Sequence, residues 1–344
     1  MGNERREFLK VLGGLTAVAA GCDSAVAATQ ALTPGAVAGQ AVGSTPAFRE
    51  GAIALELNGT FAGWLDTVSG GAAVGRVVAE RGGRKKQLAG LRYEDITVQC
   101  GPGMSDAFYQ WIQESLAGSA RRSGAIVLLD FNFAQRVRMD FTDAVIGELT
   151  MPALDAASKD AAQMTLKISP GSVTYKKGDG SKPPYPGVGT SAVPKWLASY
   201  FRLQIDGLDT ATAHVSKIGA LTFRRPHPEE RDGDRDRDDR HGRGRDGALE
   251  VPDLLFSVIA VDGDAVLAWE HDFLIAGNDG DDRERSGTLQ YLTPDLSKAI
   301  FTLTFSHLGV FRVGPSPVDS SQDSIQTLDV GPVSYTHLTL PTKA

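Results

Sequence analysis

The chain has 344 residues, a formal net charge of −7, an isoelectric point near 5.4 and 42% hydrophobic residues. This acidic balance excludes a nucleic-acid-binding surface as the main function, because phosphate binding requires clustered Lys and Arg without compensating charge. The length accommodates two domains of ordinary size. The two cysteines, Cys22 and Cys100, are too few for a framework of structural disulfides.

The N-terminus has the order of features found in a twin-arginine export signal. The motif consists of Arg5, Arg6, Phe8 and Leu9. It precedes an apolar stretch, 11–20, that is too short to span a bilayer, and a small-residue cleavage site that ends at Ala27. We therefore expect residues 1–27 to be a signal peptide and 28–47 to be a flexible lead-in. Lipidation of Cys22 is the alternative way of processing this segment.

The first module, residues 48–177, is predicted to be mainly β-structure with one helix. Its extended segments are 53–57, 61–79, 95–100, 125–129, 137–141 and 165–168. Asn58-Gly59 predicts a hairpin turn after the first of them. Apolar residues at three- and four-residue spacing predict a helix over 105–117, capped by Ser105 and ended by Gly118.

The second module, residues 196–332, repeats this order of elements. A linker, 178–195, precedes it, and adjacent prolines and several glycines exclude regular structure there. The predicted strands of the second module are 200–205, 215–223, 250–261, 288–292, 299–306 and 324–330. A helix is expected over about 264–276, where Trp269 takes the position of Trp111.

The two modules are predicted to be copies of one another. Asp206-Gly207 follows a strand in the second module as Asn58-Gly59 does in the first, 148 residues earlier, and predicts a second hairpin turn. Later landmarks lie 163 or 164 residues apart: Ser123 with Ser286, Phe141 with Phe305 and Asp160 with Asp323. One insertion in the second copy explains this change, and a period of this length indicates tandem domains.

The insertion is the charged run 224–247, which holds eight arginines and eight acidic residues. Its charges cancel, which argues against a nucleic-acid-binding tail, and it lacks the apolar residues needed to offset the entropy of ordering. We therefore expect it to be disordered. Residues 333–344 do not continue the pattern and resemble a translated sequencing adapter, so we expect them to be a non-native tail.

The sequence predicts no catalytic, cofactor-binding or metal-binding residue. None of the six histidines has the spacing of a metal site, and the acidic run 278–282 lacks the spacing of an EF-hand. No nucleophile-elbow or phosphate-loop motif occurs. Cys100 shares the apolar face of its strand with Ile96 and Val98, so we expect it to be a core thiol.

Several stretches of the first module together resemble the T4-like phage tail tube protein family. These stretches are 88–101, Trp111-Ile112, Arg121–Gly124, Leu128–Asp130 and 154–160. The second module resembles the family more weakly. The resemblance implies two tandem antiparallel β-barrel or sandwich domains, each mainly β with a flanking helix. The same fold is expected in tube proteins of type VI secretion and related contractile injection systems.

The resemblance also implies a structural activity. Six modules form a ring, rings stack into a tube, and the loop after the second strand contacts the neighbouring ring. In this sequence that loop is Glu80–Leu91, and its expected stacking residues are Arg81, Arg84, Lys85 and Lys86. Without the resemblance, these four residues would be interpreted as a solvated loop tip.

Since each chain carries two modules, we expect three chains to form a ring with pseudo-sixfold symmetry. The second module lacks the stacking loop, which suggests a ring at a tube end or baseplate. Other tail, sheath or baseplate proteins are the expected partners. No cofactor, no specific nucleic acid and no transmembrane helix after signal removal are expected.

The export signal is unexpected in a phage tail protein, because these proteins assemble in the host cytoplasm and need no leader. The alternative is therefore an exported binding or assembly protein of the periplasm or cell surface that reuses the fold. An exported hydrolase is a third class, which no recognisable site supports. Localisation is predicted to be the periplasm or cell surface, with the virion tail or host cytoplasm as the alternative.

Overall fold

The computed structural model describes residues 50–79, 86–118, 120–186, 196–225, 249–317 and 325–339. Most of these residues form antiparallel β-strands. The strands before the linker are β1 Glu50–Leu57, β2 Thr60–Leu65, β3 Thr67–Gly70, β4 Ala73–Ala79, β5 Lys86–Tyr93, β6 Ile96–Cys100, β7 Arg122–Asp130, β8 Gln135–Met151, β9 Leu154–Asp155, β10 Met164–Ser169 and β11 Ser172–Lys177. The strands after it are β12 Phe201–Ile205, β13 Val215–Ile218, β14 Leu221–Arg224, β15 Phe256–Ile259, β16 Arg285–Leu292, β17 Ala299–Pro315 and β18 Thr327–Thr339.

Helical segments are few in the described ranges. They are α1 Asp106–Ala117, α2 Asp209–Thr212, α3 Asp264–Glu270, the π-helical turn His271–Ile275 that continues α3, and the 3-10 turns Ala260–Asp262 and Asp281–Arg283. None of these helices is long and apolar enough to cross a membrane.

The main sheet of the first module has the strand order β2-β1-β7-β8-β10-β6-β3. Strand β8 joins its two parts. Residues 135–144 of β8 pair with β7, and residues 145–151 pair with β10 and β14. Asp143, at the change between these two regions, has a φ of 53°. Strands β4 and β5 form a separate two-stranded ribbon.

The sheet of the second module has the strand order β12-β16-β17-β18-β15-β13-β9. Its long strand, β17, pairs with β16 up to Leu308 and with β18 as far as Pro315. His307 on this strand has a φ of 57°. A long strand with one positive-φ residue therefore occurs in both sheets.

The landmarks that the sequence pairs lie at the same register in both sheets, apart from Asp160 with Asp323, because Asp323 lies outside the described residues. Gly124 lies opposite Leu57 on one side and Phe141 on the other. In the second sheet, Gly287 lies opposite Ile205 and Phe305. In both places the residue after the first strand donates its N–H to a serine carbonyl at 2.9 Å, from Asn58 to Ser123 and from Asp206 to Ser286.

Helix α1 packs one face on the first sheet, as its apolar spacing predicts. The Ser105 side chain accepts a hydrogen bond from the N–H of Phe108, and the backbone N–H of Gly118 closes the last turn on Glu114. The fully buried Trp111 ring stacks on Phe141 with centroids 6.3 Å apart. The predicted helix and its two ends are confirmed.

The two modules share one continuous hydrophobic core within the described residues. Tyr109 on α1 contacts Phe301 on β17, with ring centroids 5.1 Å apart. Trp196, directly after the linker, packs against Tyr291 and Phe301. The modules are therefore held together by apolar packing as well as by the covalent linker.

The Asn58-Gly59 hairpin is confirmed, with φ values of 50° and 78° and β1 paired to β2. The hairpin predicted at Asp206-Gly207 is wrong. Helix α2 follows this turn, and β12 pairs with β16. The strand predicted over 250–261 is also shorter, because only Phe256–Ile259 pairs regularly and a 3-10 turn follows it.

The predicted loop Glu80–Leu91 is only partly irregular. Its residues from Lys86 onward belong to β5, which pairs with β4 in a ribbon that continues to Tyr93. A bulge between Gly75 and Val77 interrupts the ribbon, so its apolar residues do not alternate regularly. This segment therefore shows no simple strand pattern in its sequence.

Gly124 and Gly314 predict two different effects of an added methyl group on stability. A Cβ at Gly124 would collide with the carbonyl oxygen of Glu56 and lie 2.6 Å from the Phe141 ring, whereas Gly314 has open space. We expect Gly124→Ala to lower the free energy of unfolding by about 1–3 kcal/mol, because the sheet must shift. Gly314→Ala should change it by less than about 0.5 kcal/mol. Urea unfolding of both variants tests this, and equal effects would contradict it.

Candidate assembly surfaces

The two modules exchange strands at their contact. Strand β14 of the second module pairs with the end of β8, from Leu221 opposite Met151 to Arg224 opposite Glu148. The hydroxyls of Thr150 and Thr222 lie 3.0 Å apart across this pair. In return, β9 of the first module pairs with β13. Each module therefore extends the sheet of the other.

Arg225 adds a polar contact beside this strand pair. Its guanidinium Nη2 donates to the carbonyl oxygen of Leu116 in the last turn of α1. Carbonyls in a last turn lack partners within the helix and carry its negative dipole end, so a cation is favourable there. Arg224 and Arg225 were placed in the segment predicted to be disordered. That boundary is wrong, because strand pairing and this contact order both residues.

A cluster of charged side chains centred on Glu56 lies on the face of the first sheet that points away from the main core. Glu56 is only 9% exposed. It accepts hydrogen bonds of 2.6 Å from Arg138 Nη2 and from the Tyr185 hydroxyl. Burial would lower the pKa of Arg138, but the carboxylates of Glu56 and, to a smaller extent, Asp140 raise it overall. The carboxylate is thus satisfied by a cation and a neutral donor, as a buried charge requires.

Tyr185 shows that the described part of the linker packs against the first module. Its ring stacks on Phe61 at 4.9 Å and meets Trp64 edge-on at 5.9 Å. The Trp64 indole donates to the carbonyl oxygen of Pro186 at 3.1 Å. Residues 178–186 contain no helix or strand, as predicted, but they are fixed on the sheet by these aromatic contacts.

The β4–β5 ribbon carries part of the expected stacking loop. Arg81, Arg84 and Lys85 lie outside the described residues, and Lys86 is the first residue of β5. Large apolar side chains on the ribbon are exposed: Val77, Leu88 and Leu91. An exposed apolar ribbon is typical of a contact surface.

Other predicted features fall partly or wholly outside the described residues. Those wholly outside are the export motif Arg5, Arg6, Phe8 and Leu9 together with Cys22. The structure describes only the first two residues of the charged run, Arg224 and Arg225. Of the predicted tail, 333–339 is the end of β18, and 340–344 lies outside the described ranges.

The described residues offer little reactive chemistry. Within them, no group of three His, Cys, Asp or Glu side chains is arranged to hold a metal ion. Cys100 is fully buried, and burial, assisted by the charge of Asp66, raises the pKa of its thiol to about 12. A thiol that stays protonated is a poor nucleophile, which agrees with the core role predicted for it.

Residues 64–174 match the family described as "T4-like virus tail tube protein gp19". The predicted resemblance is confirmed for this part of the chain. None of the curated proteins compared with the chain is significantly similar to it.

Several solved structures are similar to part of the chain. The PVC sheath–tube complex, an extracellular contractile injection system in its extended state, has 18% identity and a TM-score of 0.33, covering 39% of this chain and 93% of its own. The cap of the anti-feeding prophage has 18% identity and a TM-score of 0.35, covering 42% and 99%. Hcp1 from Flavobacterium johnsoniae has 17% identity and a TM-score of 0.28, covering 37% and 96%.

The Glu56 cluster predicts a specific effect at Tyr185. Tyr185→Phe keeps the aromatic contacts but removes a 2.6 Å hydrogen bond to a buried carboxylate. We expect the free energy of unfolding to fall by about 1–3 kcal/mol. Tyr175→Phe is the matched control, because the Tyr175 hydroxyl lies 3.4 Å from the carbonyl oxygen of Gly70 and should contribute less. Urea unfolding at pH 7 compares the two, and a larger loss for Tyr175→Phe would contradict the assignment.

Proposed function

We propose that the chain is a structural protein of the tail-tube type, with two tandem modules that form hexamer-like rings of a tail or contractile injection apparatus. The family match supports this for the first module. For the second module, the support is the repeated register of Gly124 and Gly287 between their neighbouring strands.

The duplication extends through most of the two sheets. The first sheet contains the order β1-β7-β8-β10-β6-β3, and the second contains β12-β16-β17-β18-β15-β13. Each strand of one series has a partner at the same place in the other. Two unrelated sheets would rarely share this order, the bulged long strand and the landmark registers together, so we interpret the modules as copies of one ancestor.

Two modules per chain determine the expected stoichiometry. The module contact is heterologous, because different surfaces of the two modules meet in it. Heterologous contacts that repeat with a closing rotation generate rings. If six modules close a ring, three chains are sufficient, and the second module of each chain contacts the first module of the next.

We propose that the β4–β5 ribbon contacts a neighbouring ring through Arg81, Arg84, Lys85 and Lys86. The exposed Leu88 supports a contact role. The charged run occupies the place of the rest of this ribbon, after residue 76, in the second module, so a ring of three chains carries three ribbons. This asymmetry favours a specialised ring at a tube end or baseplate, with tail, sheath or baseplate proteins as partners.

This function requires no reaction and no cofactor, and we propose that the chain is not an enzyme. The buried, protonated Cys100 thiol supports that view. A tube component acts by its shape and its contacts, and the virion tail or an injection apparatus would be its location.

The ring is tested by sedimentation mass and negative-stain electron microscopy of the full chain. We expect a trimer mass and rings with six lobes, because six modules must close the ring. Replacing the four basic stacking residues by Glu should leave single rings intact and abolish their stacking. A monomer mass at high concentration would contradict the ring, and unchanged stacking in the variant would contradict only the role of the loop.

The alternative is an exported periplasmic or surface protein that binds or assembles with the same fold. The twin-arginine-like motif at Arg5 and Arg6 supports it. Under this alternative, replacing both arginines by Lys should block export and leave the unprocessed precursor in the cytoplasm. Cell fractionation with immunoblotting measures this, with Lys10→Arg as the control. If the native chain and the double variant both stay in the cytoplasm, the export proposal is wrong.

A further inference from the structure

We infer that two copies of this chain join by adding β4 of one copy to the free edge of β17 in another. This inference rests on the proposed ring and identifies its contact between chains. Its basis is the contact between modules within one chain, which provides a template for the contact between chains.

The template is the placement of β14 between two neighbours. On one side, Leu221–Arg224 pairs with residues 148–151 of β8. On the other side, Arg224 forms a bridge with Glu250. Strand β14 therefore has neighbours on both sides at Arg224, and β8 is extended by a strand that comes from the other module.

The counterparts of these strands follow from the duplication. At a separation of 148 residues, β13 matches β3 residue for residue, and Leu221–Arg224 matches residues 73–76 at the start of β4. At a separation of 164 residues, positions 148–151 of β8 match 312–315 of β17. The contact between β14 and β8 thus translates into a contact between β4 and β17.

Both counterparts have an open edge in the described residues. Strand β4 pairs with β5 on one side only. Beyond Leu308, β17 pairs with β18 and with no strand on the side of β16. Unpaired strand edges present N–H and C=O groups that readily pair with another chain.

Strands β4 and β17 do not pair with one another within the described chain, and the equivalent edge of β8 in the first module is taken by β14. A second copy supplies the missing strand. In the register of the template, Val74 lies opposite Gly314, as Thr222 lies opposite Thr150. Pro315 has no N–H, so the ladder is expected to end there.

The exposure of the two main helices supports the same contact. Tyr109 on α1 is 5% exposed, because Phe301 of the second module covers it. Aligning Trp269 with Trp111 places Leu267 on α3 at the position of Tyr109. Leu267 is 43% exposed. A covered residue in one module and an open apolar residue at the same place in the other are expected if the second position is covered by another chain.

Disulfide cross-linking of the full chain tests the register. All variants carry Cys22→Ser, so that the buried Cys100 is the remaining native thiol. In V74C/G314C, mild oxidation should give covalent dimers and trimers on a non-reducing gel. The yield should exceed that of V74C/T302C by roughly ten-fold or more, because only the first pair is held together at high effective concentration.

Two controls define the contact. T150C/T222C carries the same pair in the template and should give an internal disulfide without any covalent oligomer. V74C and G314C as single variants should each stay uncross-linked and should give dimers only when mixed, because the contact is head-to-tail.

The outcomes separate this inference from the proposed function. A trimer mass without cross-linking of V74C/G314C, while T150C/T222C oxidises normally, would overturn the inference and leave the ring in place. A monomer mass without cross-linking would overturn both. Covalent dimers from V74C alone would indicate a symmetric contact and would also overturn the inference.

Discussion

The pairing of β14 with β8 is the interaction on which the arrangement of the two modules depends. An uncovered strand end at 148–151 would leave backbone donors and acceptors beside the apolar core without partners. The second module supplies β14 to this edge, and it also brings Arg225 to the end of α1 and Phe301 to Tyr109. One strand addition therefore positions a helix cap and part of the shared core.

The proposed duplication has a geometric consequence. Two copied modules in one chain would form the contact once, and each chain would keep one unused donor strand and one unused acceptor edge. Natural proteins usually protect open edges with charges, bulges or covering segments, because open edges promote aggregation. The proposed ring would protect them completely, since every donor would then meet an acceptor. The proposed duplication and the open edges are thus consistent with the same assembly.

The sequence predicted those elements in which the local pattern and the tertiary environment agree. Alternation placed Ile96, Val98 and Cys100 on a buried face, and spacing placed the α1 residues on the sheet. The two predicted hairpin turns show where local sequence patterns fail to predict the structure. Asn58-Gly59 and Asp206-Gly207 are locally similar, yet only the first is followed by a strand that can pair with the one before it. Strand pairing depends on residues distant in sequence, so turn chemistry alone could not distinguish them.

The assembly surfaces were the least predictable part, for a physical reason. Val74 and Gly314 have no chemical signature, since a sheet edge binds through backbone groups that every sequence has. The basic residues of the loop Glu80–Leu91 could be recognised because side-chain charge is visible in a sequence. The exchange of β9 and β14 between the modules leaves no such sign in the sequence. If the modules are copies, as we propose, a contact observed once inside the chain can be transferred to positions 73–76 and 312–315, where the local sequence gives no signal.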